Sequence, residues 1–244
     1  LSQGIDKTKL GLPLHLPANY PALSLTAPLS EAPIIRDLFA NPDHMKNVFA
    51  KKGTPLPDRC FKRPVYYNGS ARSLLGPNDL IPWPNFARIL DFELELAVVI
   101  SREGKNISPA KVSDYVLGFT IFNDISARDL QKLEGQLTTG PAKSKDICNI
   151  IGPFIVTWDE FKTINPSLKM SAKLNDKLIT EAHSTACAFS WDETIEFIAK
   201  EEWLLAGDII ASGAVGYGSG YELDVYPKPH DTIELLIEGI GYLK

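Results

Sequence analysis

The chain has 244 residues, 44% hydrophobic and 23% charged, with a net charge of −5, values ordinary for one large β-rich globular domain. Its densest basic stretch, Lys51, Lys52, Arg59, Lys62 and Arg63, is broken by prolines and makes a poor footprint for nucleic acid. No apolar run approaches the roughly 20 residues that span a membrane, and the widely spaced Cys60, Cys148 and Cys187 form neither a zinc pattern nor a disulfide framework, which points to a reducing compartment such as the cytoplasm.

Residues 1–30 hold several prolines and few charges, and predict an extended segment packed on a single domain that fills residues 31–244. From Ile34 to Lys52 the pattern is helical but cut by Pro42, so a helix is expected near Asp43–Ala50. Repeated Gly and Pro over residues 53–90 predict short strands joined by turns. The basic stretch at its start reads as a solvated loop in preference to a lid for anionic substrates. Next come a strand through Asp91–Ile100, another at Tyr115–Asn123, a short helix at about Ser126–Leu133 and a loop through Gly140-Pro141. Strands follow at Gly152–Thr157 and Leu168–Leu174. A helix at Ser190–Leu205 opens on a capping box, Ser190 with Glu193, and closes at Gly207. Two similar units, Leu205–Ile210 and Lys228–Ile233, each place a turn before a β-branched run. The fold class is therefore α+β, mainly β.

Alternate residues of a strand share a face, so Glu93 and Glu95 project together while Phe92, Leu94 and Leu96 project the other way. Beyond them Ala97-Val98-Val99-Ile100 is apolar on both faces, as in a strand through a core. The carboxylate pair is either one wet face or a cation site, since the two repel each other unless something compensates. Asp124 ends the next strand just before a helix, a place that suits a cap or a metal ligand. Arg128 and Gln131, three apart, share a helix face and can reach one anionic ligand. Lys143 follows a Gly-Pro bend and is placed over the oxygen-rich site, where it would stabilise an enolate or alkoxide; Lys145 is read as solvated. Of the histidines, His15, His183 and His230 are discounted, and His44 lies seven residues after Asp37. The series Gly213, Gly216, Gly218 and Gly220 leads into the strand-like Tyr221–Tyr226, so no helix start would cradle a phosphate. A wall approaching a ligand fits it better.

Glu93-x-Glu95, the run from Asn123 to Gln131 and the Pro-Ala-Lys-Ser loop at Lys143 together resemble, in order and spacing, the fumarylacetoacetate hydrolase family over residues 34–244. The resemblance implies a mixed β-sandwich or roll of the fumarylacetoacetase C-terminal-domain type and a metal-dependent catalytic domain. It implies a magnesium or calcium ion held by Glu93, Glu95 and Asp124, with Asp37 added. It makes His44 the catalytic base, Glu222 in Gly218-Ser219-Gly220-Tyr221-Glu222-Leu223 its orienting carboxylate, and Tyr67 a substrate contact. A homodimer is expected, since relatives are commonly dimers. Two positions depart from the pattern: Ala214 stands where a carboxylate-binding threonine is usual, and Phe39 where fumarylacetoacetase has a tyrosine.

An all-oxygen ligand set favours Mg²⁺, Ca²⁺ or Mn²⁺ over zinc, with Mg²⁺ the first expectation. Such an ion is a Lewis acid for the two oxygens of a 2-oxo acid or β-diketone. C–C hydrolysis would then need His44 to deprotonate water, and Lys143, Arg128 and Gln131 to steady the oxyanion. The alternative keeps the same site for isomerisation, decarboxylation or dehydration of a 2-oxo acid, with no hydrolysis. A non-catalytic, metal-stabilised binding domain would explain the carboxylates but not His44, Glu222, Arg128 and Lys143.

Overall fold

The computed structural model describes residues 25–244 apart from Ala71, Ser73, Thr138 and Thr139. Most of the expected extended opening segment therefore lies outside the described residues. The first half of the chain runs β1 (Ile35–Leu38), α1 (Pro42–Lys51), β2 (Tyr66–Gly69), β3 (Leu74–Leu75), β4 (Leu90–Asp91), β5 (Leu94–Ile100), β6 (Val116–Asp124), β7 (Ser126–Ala127) and α2 (Arg128–Gln136). The second half runs β8 (Asn149–Thr157), β9 (Lys169–Leu174), β10 (Lys177–His183), α3 (Trp191–Ala199), β11 (Ile209–Ala211), α4 (Gly220–Leu223), β12 (Ile233–Ile237) and β13 (Gly241–Leu243). Strands dominate and helices are short, which is the α+β, mainly β class.

Seven strands form the main sheet in the order β2-β1-β11-β5-β6-β8-β3, and four form a second in the order β10-β9-β12-β13. The second sheet is antiparallel throughout. In the main sheet only β1/β11 and β3/β8 are parallel. The period-two rule sorts the side chains of the main sheet onto two faces. Leu94, Leu96, Val98 and Ile100 of β5, with Phe119 and Ile121 of β6 and Ile210 of β11, enter the large core shared with Met170, Leu235 and Ile237 of the second sheet and Ile195 and Ile198 of α3. Each such side chain contributes about 1.5–3 kcal/mol when fully buried. The opposite face holds a smaller cluster of Ile35, Ala97, Phe122, Ile151, Ile209 and Ala211, packed by Ala27, Leu29 and Leu74. Glu93, Glu95, Asp124 and Asp37 belong to this second face by the same alternation.

Helix α1 starts where a proline is tolerated, at its first position, and Asn41 caps it by accepting from the N–H groups of Asp43 and His44. The capping box of α3 is present, with Ser190 Oγ accepting from Glu193 N and Glu193 Oε2 accepting from Ser190 N. Two expectations need correction. Helix α3 stops at Ala199 rather than near Leu205, because Lys200 is extended and Leu204 is drawn into a bridge with Gly104. Gly207 serves a turn instead, at φ +90°, its N–H donating to Ile100 O. The Tyr221 segment is a helical turn, α4, and not a strand.

Candidate metal centre and catalytic dyad

The sheet register assembles the acidic side chains. Asp37 pairs with Ala211 of β11, and Ala211 with Ala97 of β5, so these three lie in one row. Glu95 is the next residue along β5 on that face, and Glu93, one residue before the strand and bridged to Ser219, continues the alternation. Across β6, Glu95 pairs with Phe122, which puts Asp124 beside Glu93. Asp37, Glu93, Glu95 and Asp124 are all buried, and each offers an oxygen within 4.8 Å of the others.

Cations reach only part of this cage. Lys145 Nζ donates to Glu93 Oε2 and, at 2.5 Å, to Asp124 Oδ2. Arg128 Nη2 donates to Glu93 Oε1 at 2.8 Å. Asp37 Oδ1 and Glu95 Oε1 are buried with no hydrogen-bond partner. Bare carboxylate oxygens in a dry site are costly unless a proton or an ion meets them. Burial and then the neighbouring carboxylates push the Glu95 carboxyl well above its ordinary range. Burial does the same for Asp124, against the opposing pull of Lys145. Glu93 goes the other way: burial raises it, but the charges of Lys145 and Arg128 prevail and hold it below the usual carboxylate range. The donor set, four hard oxygens with two of them unsatisfied, fits a divalent ion of the Mg²⁺, Ca²⁺ or Mn²⁺ kind.

The neighbours of the cage fix its geometry. Tyr67 lies directly opposite Asp37 on β2 and donates from Oη to Asp124 Oδ2 at 2.7 Å. Burial and the adjacent acids push its phenol well up, so it stays a donor. Asn123 Oδ1 accepts from Glu93 N at 3.1 Å, and the Asn149 amide, suitably rotated, donates to Asp124 Oδ1 at 3.1 Å. Gly213 N donates to Glu95 Oε2 at 3.0 Å. Only glycine fits there, because φ is +76° and a Cβ would lie 2.1 Å from Leu38 O. Ala214, next in the chain, is buried.

Beside the cage, α1 and α4 bring together His44 and Glu222. His44 Nδ1 lies 2.7 Å from Glu222 Oε2. The same carboxylate accepts from Ser219 Oγ, Asn47 Nδ2 and Tyr217 N. Burial raises Glu222, but the hydrogen bond and charge of His44, with Asn47 and Tyr217 behind them, win and hold it low. An ionised carboxylate only accepts, so Nδ1 of His44 carries the proton of this hydrogen bond, and in the neutral imidazole Nε2 is the basic nitrogen. The Phe39 ring meets His44 edge-on at 5.4 Å, in place of a tyrosine hydroxyl.

Three expectations about the cations are revised. Lys143 is exposed, its Nζ 4.9 Å from the Phe86 ring centroid, whereas Lys145, expected in solvent, is 3% exposed and inside the cage. Two residues apart would share a face in a strand, but residues 142–145 form a turn, clasped by Glu134 through Ala142 N and Ser144 N, so the two lysines diverge. Arg128 is not free for an oxyanion, since it already holds Asp91, Glu93 and, through Nη1, Gln131 Oε1. A helix does follow the glycines, but its first N–H groups are taken by Asp91 and so cannot cradle a phosphate. Asp91, Lys145, Asn47, Ser219 and Asn149 were missed. Asp91 carried a signal, being the third acid of the alternating series 91, 93, 95.

A family model described as fumarylacetoacetate (FAA) hydrolase C-terminal matches residues 33–244. The chain belongs to the fumarylacetoacetate hydrolase family. Oxaloacetate tautomerase YisK of Bacillus subtilis is 35% identical over 75% of this chain and 60% of its own length, so the chain spans less than two thirds of that relative. A 2-hydroxyhepta-2,4-diene-1,7-dioate isomerase structure from Mycobacterium marinum superposes with a TM-score of 0.70 at 30% identity, covering 89% of this chain and 75% of that one. A fumarylacetoacetate hydrolase from Exiguobacterium antarcticum gives 0.74 at 27% identity, covering 89% and 76%. The family thus contains hydrolase, isomerase and tautomerase members around one fold. Among the described residues of this family member no helix is long and apolar enough to cross a membrane.

Proposed function

We propose that the protein is a divalent-metal-dependent hydrolase that cleaves a C–C bond in an acylpyruvate- or β-diketo-type 2-oxo acid. The observation that carries this reading is the His44–Glu222 pair at 2.7 Å, beside the four-carboxylate cage. Glu93, Glu95, Asp124 and Asp37 would hold the ion, which when bound supplies Lewis acidity toward the substrate's paired oxygens. His44 Nε2 takes a proton from water, and Glu222 stabilises the imidazolium that results. Lys145 keeps its proton, because Asp124 and Glu93 outweigh the effect of burial; it offsets cage charge and offers a donor to a developing oxyanion. Tyr67 stays protonated and gives its one hydroxyl proton to Asp124 Oδ2, which holds that ligand in place. Gln131, with Oε1 on Arg128, has its amide nitrogen left to donate. The domain assignment of residues 31–244 as one catalytic unit, with a homodimer as the working assembly, belongs to the same proposal.

A second reading, isomerisation or tautomerisation of a 2-oxo acid, is favoured by the relatives that carry those names. It uses the cage and needs no activated water. The experiment is a panel of acylpyruvates, β-diketo acids and enol-oxaloacetate, with and without added Mg²⁺, Mn²⁺ or Ca²⁺. Cleaved acids appearing only with the ion support hydrolysis; interconversion without cleavage supports the second reading.

A further inference from the structure

Asp91 ends β4, two residues before Glu93, and is 1% exposed. Its Oδ1 accepts from Phe92 N at 2.9 Å and Gly220 N at 2.8 Å. Its Oδ2 accepts from Tyr221 N at 2.9 Å and Arg128 Nε at 2.6 Å. Gly220 and Tyr221 open α4, the turn that carries Glu222 to His44. Arg128 opens α2 and passes on to Glu93 of the cage. One carboxylate therefore ties the start of the dyad's helix to the guanidinium that grips a cage oxygen. The fit is close: a Cβ on Gly220 would lie 2.3 Å from Asp91 Oδ1.

We infer that Asp91 is a positioning residue that fixes the water-activating His44–Glu222 pair relative to the acid cage, by binding α4 and Arg128 with the same carboxylate. It touches neither the cage centre nor His44, so it acts only through these partners. The inference rests on the hydrolytic reading and adds to it the part that sets the base at its distance from the ion. A helix cap with an ion pair would stabilise the chain equally well without any effect on the dyad, and the test must separate these roles.

Asp91→Asn keeps the shape and an oxygen for Gly220 N–H but loses the acceptor for Arg128 or Tyr221. Gly220→Ala leaves the Asp91 charge and its Arg128 pair but pushes α4 away. Both should move the His44 Nδ1 proton resonance seen by NMR. Both should also lower kcat on a cleaved acylpyruvate roughly 10–100-fold with a much smaller change in KM, as misplacement of a catalytic group does. In Gly220→Ala the Kd for Mg²⁺, from calorimetry, should change by less than about threefold, because the four ligands and the Arg128 pairs are kept; Asp91→Asn shares a network with Glu93 through Arg128 and should change it more. If the resonance and kcat stay at wild-type values in either folded variant, the positioning role is wrong. Should Asp91→Asn fail to fold, Gly220→Ala decides alone. Wild type that cleaves nothing on the panel, with the resonance still displaced in the variants, would refute the hydrolytic reading while the Asp91 link stood.

Discussion

Two lysines set two residues apart meet opposite fates, and their variants should differ accordingly. Removing one partner of a buried ion pair leaves uncompensated charge, a loss of roughly 3–5 kcal/mol. Lys145→Met should therefore destabilise the metal-free protein by an amount in that direction, reduced to the extent that Glu93 and Asp124 take up protons instead. Lys143→Met, on the exposed rim, should stay within about 0.5 kcal/mol of wild type. Urea unfolding in EDTA measures both, and equal losses would contradict the placement. Glu222 gives the pH test. Its carboxyl is held below the ordinary range, so its stabilisation is complete above the unfolded value of about 4.3 and is lost as pH falls through the lower folded value. The stability gap between wild type and Glu222→Gln should be widest near neutrality and shrink on acidification. A gap that widens toward low pH would mean the pair is not held by an ionised Glu222.

At the scale of elements, the loop after β11 is tied to β5 through Gly213 N and Glu95, with Val215 N donating to Leu94 O. Gly213→Ala would force a positive φ and a clash with Leu38 O, costing about 2 kcal/mol or more, and would free Glu95 from its donor. The checks are denaturation for the stability and calorimetry for the weaker Mg²⁺ binding; wild-type values in both would refute the close approach. This region also shows what sequence could reveal. The alternation in Glu93–Ile100 and the Ser190/Glu193 box state their local structure directly, because period and capping are local properties. The end of α3 is set by Leu204 meeting Gly104, some hundred residues away in the chain. The Tyr221 segment has strand-like alternation, yet Asp91 captures its first N–H groups and turns it into a helix. Long-range hydrogen bonds decided both, and no local pattern carries them.

At the scale of the molecule, three cage ligands come from three separate strands and Glu93 from the residue just before β5, and sheet register brings them together. Glu93 and Glu95 show themselves by alternation and Asp124 by ending a strand just before a helix, whereas Asp37 was legible only through the spacing of the family motif. Which lysine enters depends on a turn that spacing does not reveal. A cage of this kind makes metal binding part of folding. At a free ion concentration 100 times Kd, binding to the native state alone adds about 2.7 kcal/mol. Added Mg²⁺ should raise the stability of wild type along that logarithmic curve, and Glu95→Gln should flatten it. An equal rise in both would contradict the ligand assignment.

In the proposed reading His44, oriented by Glu222, activates water beside the carboxylate cage. This role is tested most directly by following product acids from an acylpyruvate at saturating Mg²⁺, in wild type and His44→Ala of equal metal affinity. The expected result is cleavage by wild type and a loss of roughly 10²–10⁴-fold in the variant, the usual contribution of a general base, with solvent exchange of the substrate's α-protons retained. Cleavage at the wild-type rate in His44→Ala, or wild type that interconverts enol and keto forms and releases no cleaved acid, would contradict it.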